Sequence, residues 1–191
     1  DGALGSRGAA LIDDYSDEPG NRGLLRYDDE RLEFLMRVAM NAGFQVATHA
    51  IGDNANLKVM DNYERLINET DTQAMRHRIE HAQILRYEDI LRFAELGVIP
   101  SMQATHATSD KNMAEDRIGS VRIQGAYAWR KLLDTGAIIA NGSDFPVESP
   151  NPFWGLHTSV TRQGQDNEPP GGWYPEERMT LVEAFASFTI D

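Results

Sequence analysis

Ala140-Asn141-Gly142-Ser143-Asp144-Phe145-Pro146 is the stretch that decides the fold. It follows a short apolar run, Ala137 to Ala140, and puts a carboxylate, Asp144, where that run gives way to a loop. Two earlier strand-like runs end the same way on imidazoles: Phe44-Gln45-Val46-Ala47-Thr48-His49 and Arg78-Ile79-Glu80-His81. Three metal-competent side chains thus terminate three separate strand-like segments. Where parallel strands alternate with helices around a barrel, every strand C-terminus opens on one mouth, and that mouth is where chemistry is done.

The segments between these runs supply the helices. Asp28 can cap a helix from about Asp29 to Ala42, with Leu32, Leu35, Met36 and Ala39 on one face and Gly43 just past its end. Asp53 is a natural N-cap for the next helix, whose apolar face is Leu57, Met60, Tyr63, Leu66 and Ile67. Tyr87 to Leu96 reads as helix closed by Gly97, and Val98 to Met102 as strand. Gln103 to Gly119 is polar and reads as a loop, Val121 to Leu133 as helix, and a further helix lies near Phe153 to Arg162. Thr180 with Glu183 three residues on forms a capping box for a last helix, Leu181 to Phe188. Residues 1–27, rich in Gly, Asp and Arg, read as a long loop. Alternating helix and strand predicts an α/β fold: about four parallel strands with helices on the outer side.

That is half of an eight-stranded barrel, and 191 residues fall just short of the roughly 200 to 400 usual for a complete one. With a start at Asp1-Gly2 and an end just past a helix-like stretch, residues 1–191 read as one partial barrel domain from a longer chain. Acidic residues outnumber basic ones 30 to 18, for a net charge of −12, which disfavours a nucleic acid partner. No apolar run approaches the roughly 20 residues that span a bilayer. The absence of cysteine excludes disulfides, thiolate metal sites and a cysteine nucleophile, and leaves the compartment open.

His49, His81 and Asp144 at separate strand ends supply nitrogen and oxygen ligands suited to zinc or a similar divalent cation. His77, four residues before His81, reads as a flanking residue, and His157 as structural. His106 in the polar stretch is either a surface histidine or a substrate contact. Arg162 either complements a helix C-terminus or reaches an anionic substrate group. Gly2-Ala3-Leu4-Gly5-Ser6-Arg7 lacks the lysine and spacing of a phosphate loop, and Ser143 lacks the glycine pattern of a nucleophile elbow.

Taken in order, His49-Ala50-Ile51-Gly52-Asp53, Arg78-Ile79-Glu80-His81-Ala82-Gln83, Ser101-Met102-Gln103 and Gly142-Ser143-Asp144-Phe145-Pro146-Val147 resemble the amidohydrolase superfamily. The nearest branch is amidohydrolase family 3, the YtcJ-like and N-substituted formamide deformylase-like proteins, and Asp1 to Arg7 is similar to the stretch after that family's fourth strand. The resemblance implies a metal-dependent hydrolase on a TIM (β/α)8 barrel, acting on non-peptide carbon–nitrogen bonds in small amide-type substrates. It implies that His49 and His81 bind metal and that Asp144 contacts metal or its water as general base. The family's first-strand His-x-His pair and fourth-strand lysine have no counterpart here, so the piece alone is expected to be inactive and its metal site partly filled at most. A non-catalytic βα binding or assembly module is the alternative. Cutting a barrel also exposes strand edges and an inner sheet face, expected to be apolar, and these predict a homo-oligomer.

Overall fold

The computed structural model describes residues 1–190. Four strands form one parallel sheet in sequence order: β1 (Ala47–Ala50), β2 (Arg78–His81), β3 (Ile99–Met102) and β4 (Ala140–Asn141). The register runs Thr48 to Ile79, Ile79 to Pro100, and Ser101 to Ala140. The half-barrel expectation therefore holds, and every strand points its C-terminus the same way. Strand limits are shorter than the apolar runs suggested. Phe44 lies outside β1 and is exposed, and β4 begins only at Ala140.

Helices α1 (Asp29–Asn41), α2 (Asp53–Thr70), α3 (Ile90–Leu96) and α6 (Trp129–Asp134) cover the outer side in sequence. Asp28 caps α1 as its sequence predicts, accepting from the Arg31 N–H. The apolar face of α2 buries Val59, Met60, Tyr63, Leu66 and Ile67, each contributing about 1.5–3 kcal/mol. The Tyr63 hydroxyl reaches the carbonyls of Val46 and Arg78, at 3.0 and 2.8 Å, and so rivets α2 across β1 and β2. Helices α7 (Pro152–Thr161) and α8 (Leu181–Ser187) pack together, and the Thr180–Glu183 capping box is formed.

Three local expectations are corrected. Asp53 is the first residue of α2 rather than its cap, because its carboxylate is taken by the Ile12 N–H at 2.9 Å. The polar stretch after β3 is two helices, α4 (Ala104–Asp110) and α5 (Ala114–Arg122): Ala104, Ala107, Ala114 and Ile118 are buried, a spacing masked by the polar residues between them. The helix expected over Val121 to Leu133 is broken, with a 3-10 turn at Ile123–Gly125 and Tyr127 in the left-handed region.

A fourth correction concerns the uncovered sheet face. Burial alternates along β2, with Ile79 under the helices and Arg78 and Glu80 on the other side, joined in an ion pair at 2.8 Å. By register Ala47, Ile99 and Ala140 share that side with them, so the inner face is mixed rather than uniformly apolar. The exposed apolar side chains gather instead on α1 (Phe34, Leu35, Val38), on α8 (Leu181, Val182, Phe185) and just after Asp144 (Phe145, Val147).

His77 is structural. It is buried, its Nδ1 accepts from the Val46 N–H at 3.0 Å, and its Nε2 lies 3.1 Å from the Thr72 hydroxyl. Burial holds its pKa below the ordinary value of about 6.5, so the folded state keeps the ring neutral. The associated stability is present above about pH 6.5 and is lost as pH falls, because the unfolded chain then binds the extra proton. At pH 7.5 His77→Leu should cost about 1–3 kcal/mol, the cost of an orphaned buried N–H. That deficit should shrink between pH 6.5 and 5, since only the wild type must keep this imidazole neutral. Urea titrations at each pH check it, and parallel pH slopes would count against it.

Candidate active site

The three strand-end residues meet at one mouth, and a fourth joins them. Because Ala50 pairs with His81 in the sheet, the rings of His49 and His81 are neighbours, with centroids 4.5 Å apart and planes at 73°. His106, placed by the first turn of α4, stacks on His81 at 5.7 Å. Its Nε2 lies 4.0 Å from Asp144 Oδ2. His49, His81, His106 and Asp144 thus form an arc across the mouth. Among the described residues, no three His, Asp or Glu side chains converge closely enough to make a ready cation cage.

The backbone is strained at this arc. His81, Ala82 and Asp144 have φ of 76°, 42° and 55°, in the left-handed region that costs non-glycine residues of order 1–3 kcal/mol each. Neighbouring bonds hold these conformations. Ile84 donates its N–H to the Ile51 carbonyl, Tyr127 donates to the Gln83 carbonyl, and Val147 donates to the carbonyl of Asp144.

Hydrogen bonds select the ring tautomers. The Gln103 amide donates to the Ser101 carbonyl, which turns its Oε1 toward His81 Nδ1 at 2.6 Å, so that nitrogen carries the proton. His49 Nδ1 donates in the same sense to the Asp1 carboxylate at 3.1 Å. Both rings keep an Nε2 lone pair for a ligand, the arrangement by which second partners orient metal-binding imidazoles. Burial lowers the pKa of each ring; for His81 the neighbouring His49 adds to it, and His106 is lowered to about 4 by burial and then His81. The charge of Asp144 opposes the shift in each without reversing it. All three imidazoles are therefore neutral at pH 7, the form that ligates. His106 Nε2 is buried with no hydrogen-bond partner. Two oriented imidazoles, a carboxylate and this orphaned nitrogen fit part of the shell of a divalent cation.

Arg162 is not brought to the mouth. Its guanidinium is fully buried, 4.2 Å over the Trp129 ring and 5.2 Å from Trp173, and donates to the carbonyls of Trp173 and Tyr127. Its Nη2 has no partner, and burial lowers its pKa to about 9. The structure gives Arg162 to the frame. His157, whose Nε2 lies 3.2 Å from the Gly164 carbonyl, is structural as its sequence position suggests.

Two residues that lie in the quoted motifs serve the site in roles the sequence does not assign. Gln103 stands just past β3, so the strand-end rule, applied to the third strand, would have found it. Asp1 had no such signal. Its side chain is fully buried and accepts from the N–H groups of Ala10, Ile51 and Gly52 as well as from His49.

The chain and its partial barrel have known counterparts. The sequence model of the amidohydrolase family matches residues 1–191. The chain belongs to that family. It is 37% identical over 194 residues to protein LONG AFTER FAR-RED 3 of Arabidopsis thaliana, covering all of this chain and 32% of that protein. It is 35% identical over 189 residues to putative amidohydrolase YtcJ of Bacillus subtilis, covering 99% of this chain and 35% of that one. Among solved structures, an uncharacterized metal-dependent hydrolase of Pyrococcus horikoshii superposes with a TM-score of 0.85 at 30% identity, over 98% of this chain and 37% of that one. The chain thus spans about a third of the length of these relatives. Among the described residues no helix is long and apolar enough to cross a membrane.

Asp1→Ala leaves three buried N–H donors and the His49 ring without their acceptor, which should cost about 3 kcal/mol or more in urea denaturation. The His49 ring should also lose its single tautomer, read from imidazole nitrogen shifts. A cost under 1 kcal/mol with an unchanged His49 signal would sink this account.

Proposed function

We propose that this chain carries part of the active site of a metal-dependent hydrolase acting on non-peptide carbon–nitrogen bonds of amide or formamide type. The observation that supports it most is the arc itself: two imidazoles with free Nε2 atoms lying in line with His106, whose Nε2 is buried, and the Asp144 carboxylate. His49 and His81 would hold the cation, zinc by the chemistry of the donor set, with Asp144 beside it. When bound, such a cation lowers the pKa of water toward about 7 and polarises a carbonyl.

The chain's own groups then account for proton and substrate handling. Asp144 takes the proton of the attacking water on a carboxylate oxygen and returns it to the leaving nitrogen, so that amide and water give acid and amine. His106, neutral and with Nε2 unengaged, faces the same space and contacts the substrate's oxygen. Arg162, behind Tyr127 and Trp173, supports the wall without touching substrate. The donors here cover part of a shell, so we assign turnover to the whole barrel and little or none to these 191 residues alone.

Placed in the complete barrel, Asp144→Asn should lower kcat/KM for an N-substituted formamide by about 10²–10⁴-fold, the usual worth of a positioned acid–base group. Chelation should abolish turnover and zinc restore it. Full activity in either the variant or the chelated protein would overturn the reading.

For the isolated chain we propose self-association through the sheet. β1 has a free edge beside a groove of about 540 Å³ lined by Leu32, Leu35, Val46 and Thr48, and β4 ends the sheet on the other side. Four parallel strands from each of two copies can close one barrel about a two-fold axis. The Arg78–Glu80 ion pair within each copy then keeps the closed interior balanced in charge, a balance that Arg78→Glu removes from both halves at once. Sedimentation should show a dimer at micromolar concentration that Arg78→Glu weakens; a compact monomer would refute it.

A further inference from the structure

Behind His81 and His106 lies a partly buried polar cluster that the hydrolase reading does not use. Asp110 ends α4, one helical turn past His106 on the same face. Its Oδ2 accepts from the Tyr127 hydroxyl at 2.7 Å and from the Gln83 amide at 3.1 Å. The same amide lies 2.9 Å from the Tyr127 oxygen, so the three side chains close a triangle. Gln83 and Tyr127 are buried, and burial raises the pKa of Asp110. Gln83 stands two residues past His81, immediately after the left-handed pair His81-Ala82, and Tyr127 is itself left-handed at φ 50°. A backbone bridge between Ile84 and Ala126 runs alongside, and the Tyr127 N–H donates to the Gln83 carbonyl at 2.8 Å. One carboxylate therefore joins the helix that carries His106 to the strained turn that carries His81.

The chemistry of the partners matters. Both donors to Asp110 are neutral, and no Lys or Arg pairs with it. A carboxylate partly withdrawn from water against neutral donors recovers its desolvation cost poorly, and an apolar side chain of similar shape would pack there at little loss. Stability alone does not account for it.

We propose that Asp110, acting through Gln83 and Tyr127, is a positioning residue that fixes His81 and His106 relative to one another. The proposal rests on the hydrolase reading of the mouth. Fixing the two rings within a few tenths of an ångström is what a shared ligand or substrate requires, and partners of this kind typically change metal affinity by about 10–100-fold.

The test uses the 191-residue chain, labelled with ¹⁵N and free of metal, and then titrated with Co²⁺. In Asp110→Ala the ring nitrogen signals of His81 and His106 should shift or broaden, while those of His77 and His157 stay in place. Gln83→Leu should move the same two rings, and the double variant should go no further than either alone, as expected for residues acting as a unit. Asp110→Asn, which keeps an acceptor for both donors, should restore the wild-type signals and also guards against loss of fold in the alanine variant. Cobalt affinity should fall about tenfold in Asp110→Ala and recover in Asp110→Asn. Unmoved His81 and His106 signals, or all five histidines shifting together, would overturn the proposal. Should the wild-type chain bind no cobalt, the metal reading fails for this chain while the ring signals still decide the role of Asp110.

Discussion

The Asp1 carboxylate is the constraint on which the mouth depends. With three backbone N–H groups and one imidazole around it, this buried side chain joins the N-terminal loop, the turn after β1 and His49 into one piece. Geometry leaves no slack there. A side chain at Gly52 would place its Cβ 2.0 Å from the Ala10 carbonyl oxygen, so the loop can lie against β1 only because this position is glycine. Asn56 completes the clamp from α2, its amide reaching the carbonyls of Ala50, Ile51, Gly52 and Ile84. The long segment of residues 1–27, without regular strands or helices, is thus the floor beside the mouth rather than a loose connection.

From that clamp the logic runs to the imidazoles. Removing a histidine from water disfavours its charged form, and packing His49, His81 and His106 side by side disfavours it further, since each ring's charge would repel the next. Ordinary folding would avoid such a row. Here the row is retained, with His81 and Asp144 held in left-handed backbone as well, and the strain is sustained by bonds from three separate segments. Strain gathered at one end of a sheet, on residues that bear lone pairs, supports the proposed reading of that end as a ligand site.

Much of this was legible in the sequence because it follows from period and punctuation. Strand-end polarity marked His49, His81 and Asp144, glycines closed α1 and α3, and the Thr180–Glu183 box announced α8. Where the reading failed, a tertiary contact had overridden a local preference. Asp53 would cap α2, but its carboxylate is claimed by Ile12 from 41 positions away in sequence. Helices α4 and α5 bury alanines, which leave a faint apolar pattern, so the sequence around His106 reads as loop although the residue rides on a helix. The role of Asp1 has no local signal, since its four donors are collected from segments that meet only in the folded chain. The sequence also cannot say which side of β2 faces helices. That side choice puts the Arg78–Glu80 ion pair among Ala47, Ile99 and Ala140, a mixed face where an apolar one is expected.

Arg162 shows how the same burial can serve frame and site differently. In a chain of net charge −12 its most buried cation has found no carboxylate, only two carbonyls and the faces of two tryptophans. A guanidinium tolerates this because it is planar, weakly hydrated and able to donate in its plane while stacking above and below it. A lysine, compact and strongly hydrated, would not. Through the carbonyl of Tyr127 that arrangement meets Asp110 and Gln83, whose donors are neutral and whose carboxylate is likewise unpaired. A fully buried cation and a half-buried carboxylate thus stand on either end of one tyrosine, neither neutralising the other directly. Two such costs in a single connected wall are hard to reconcile with packing alone. They are readily reconciled with a wall whose task is to hold His81 and His106 still.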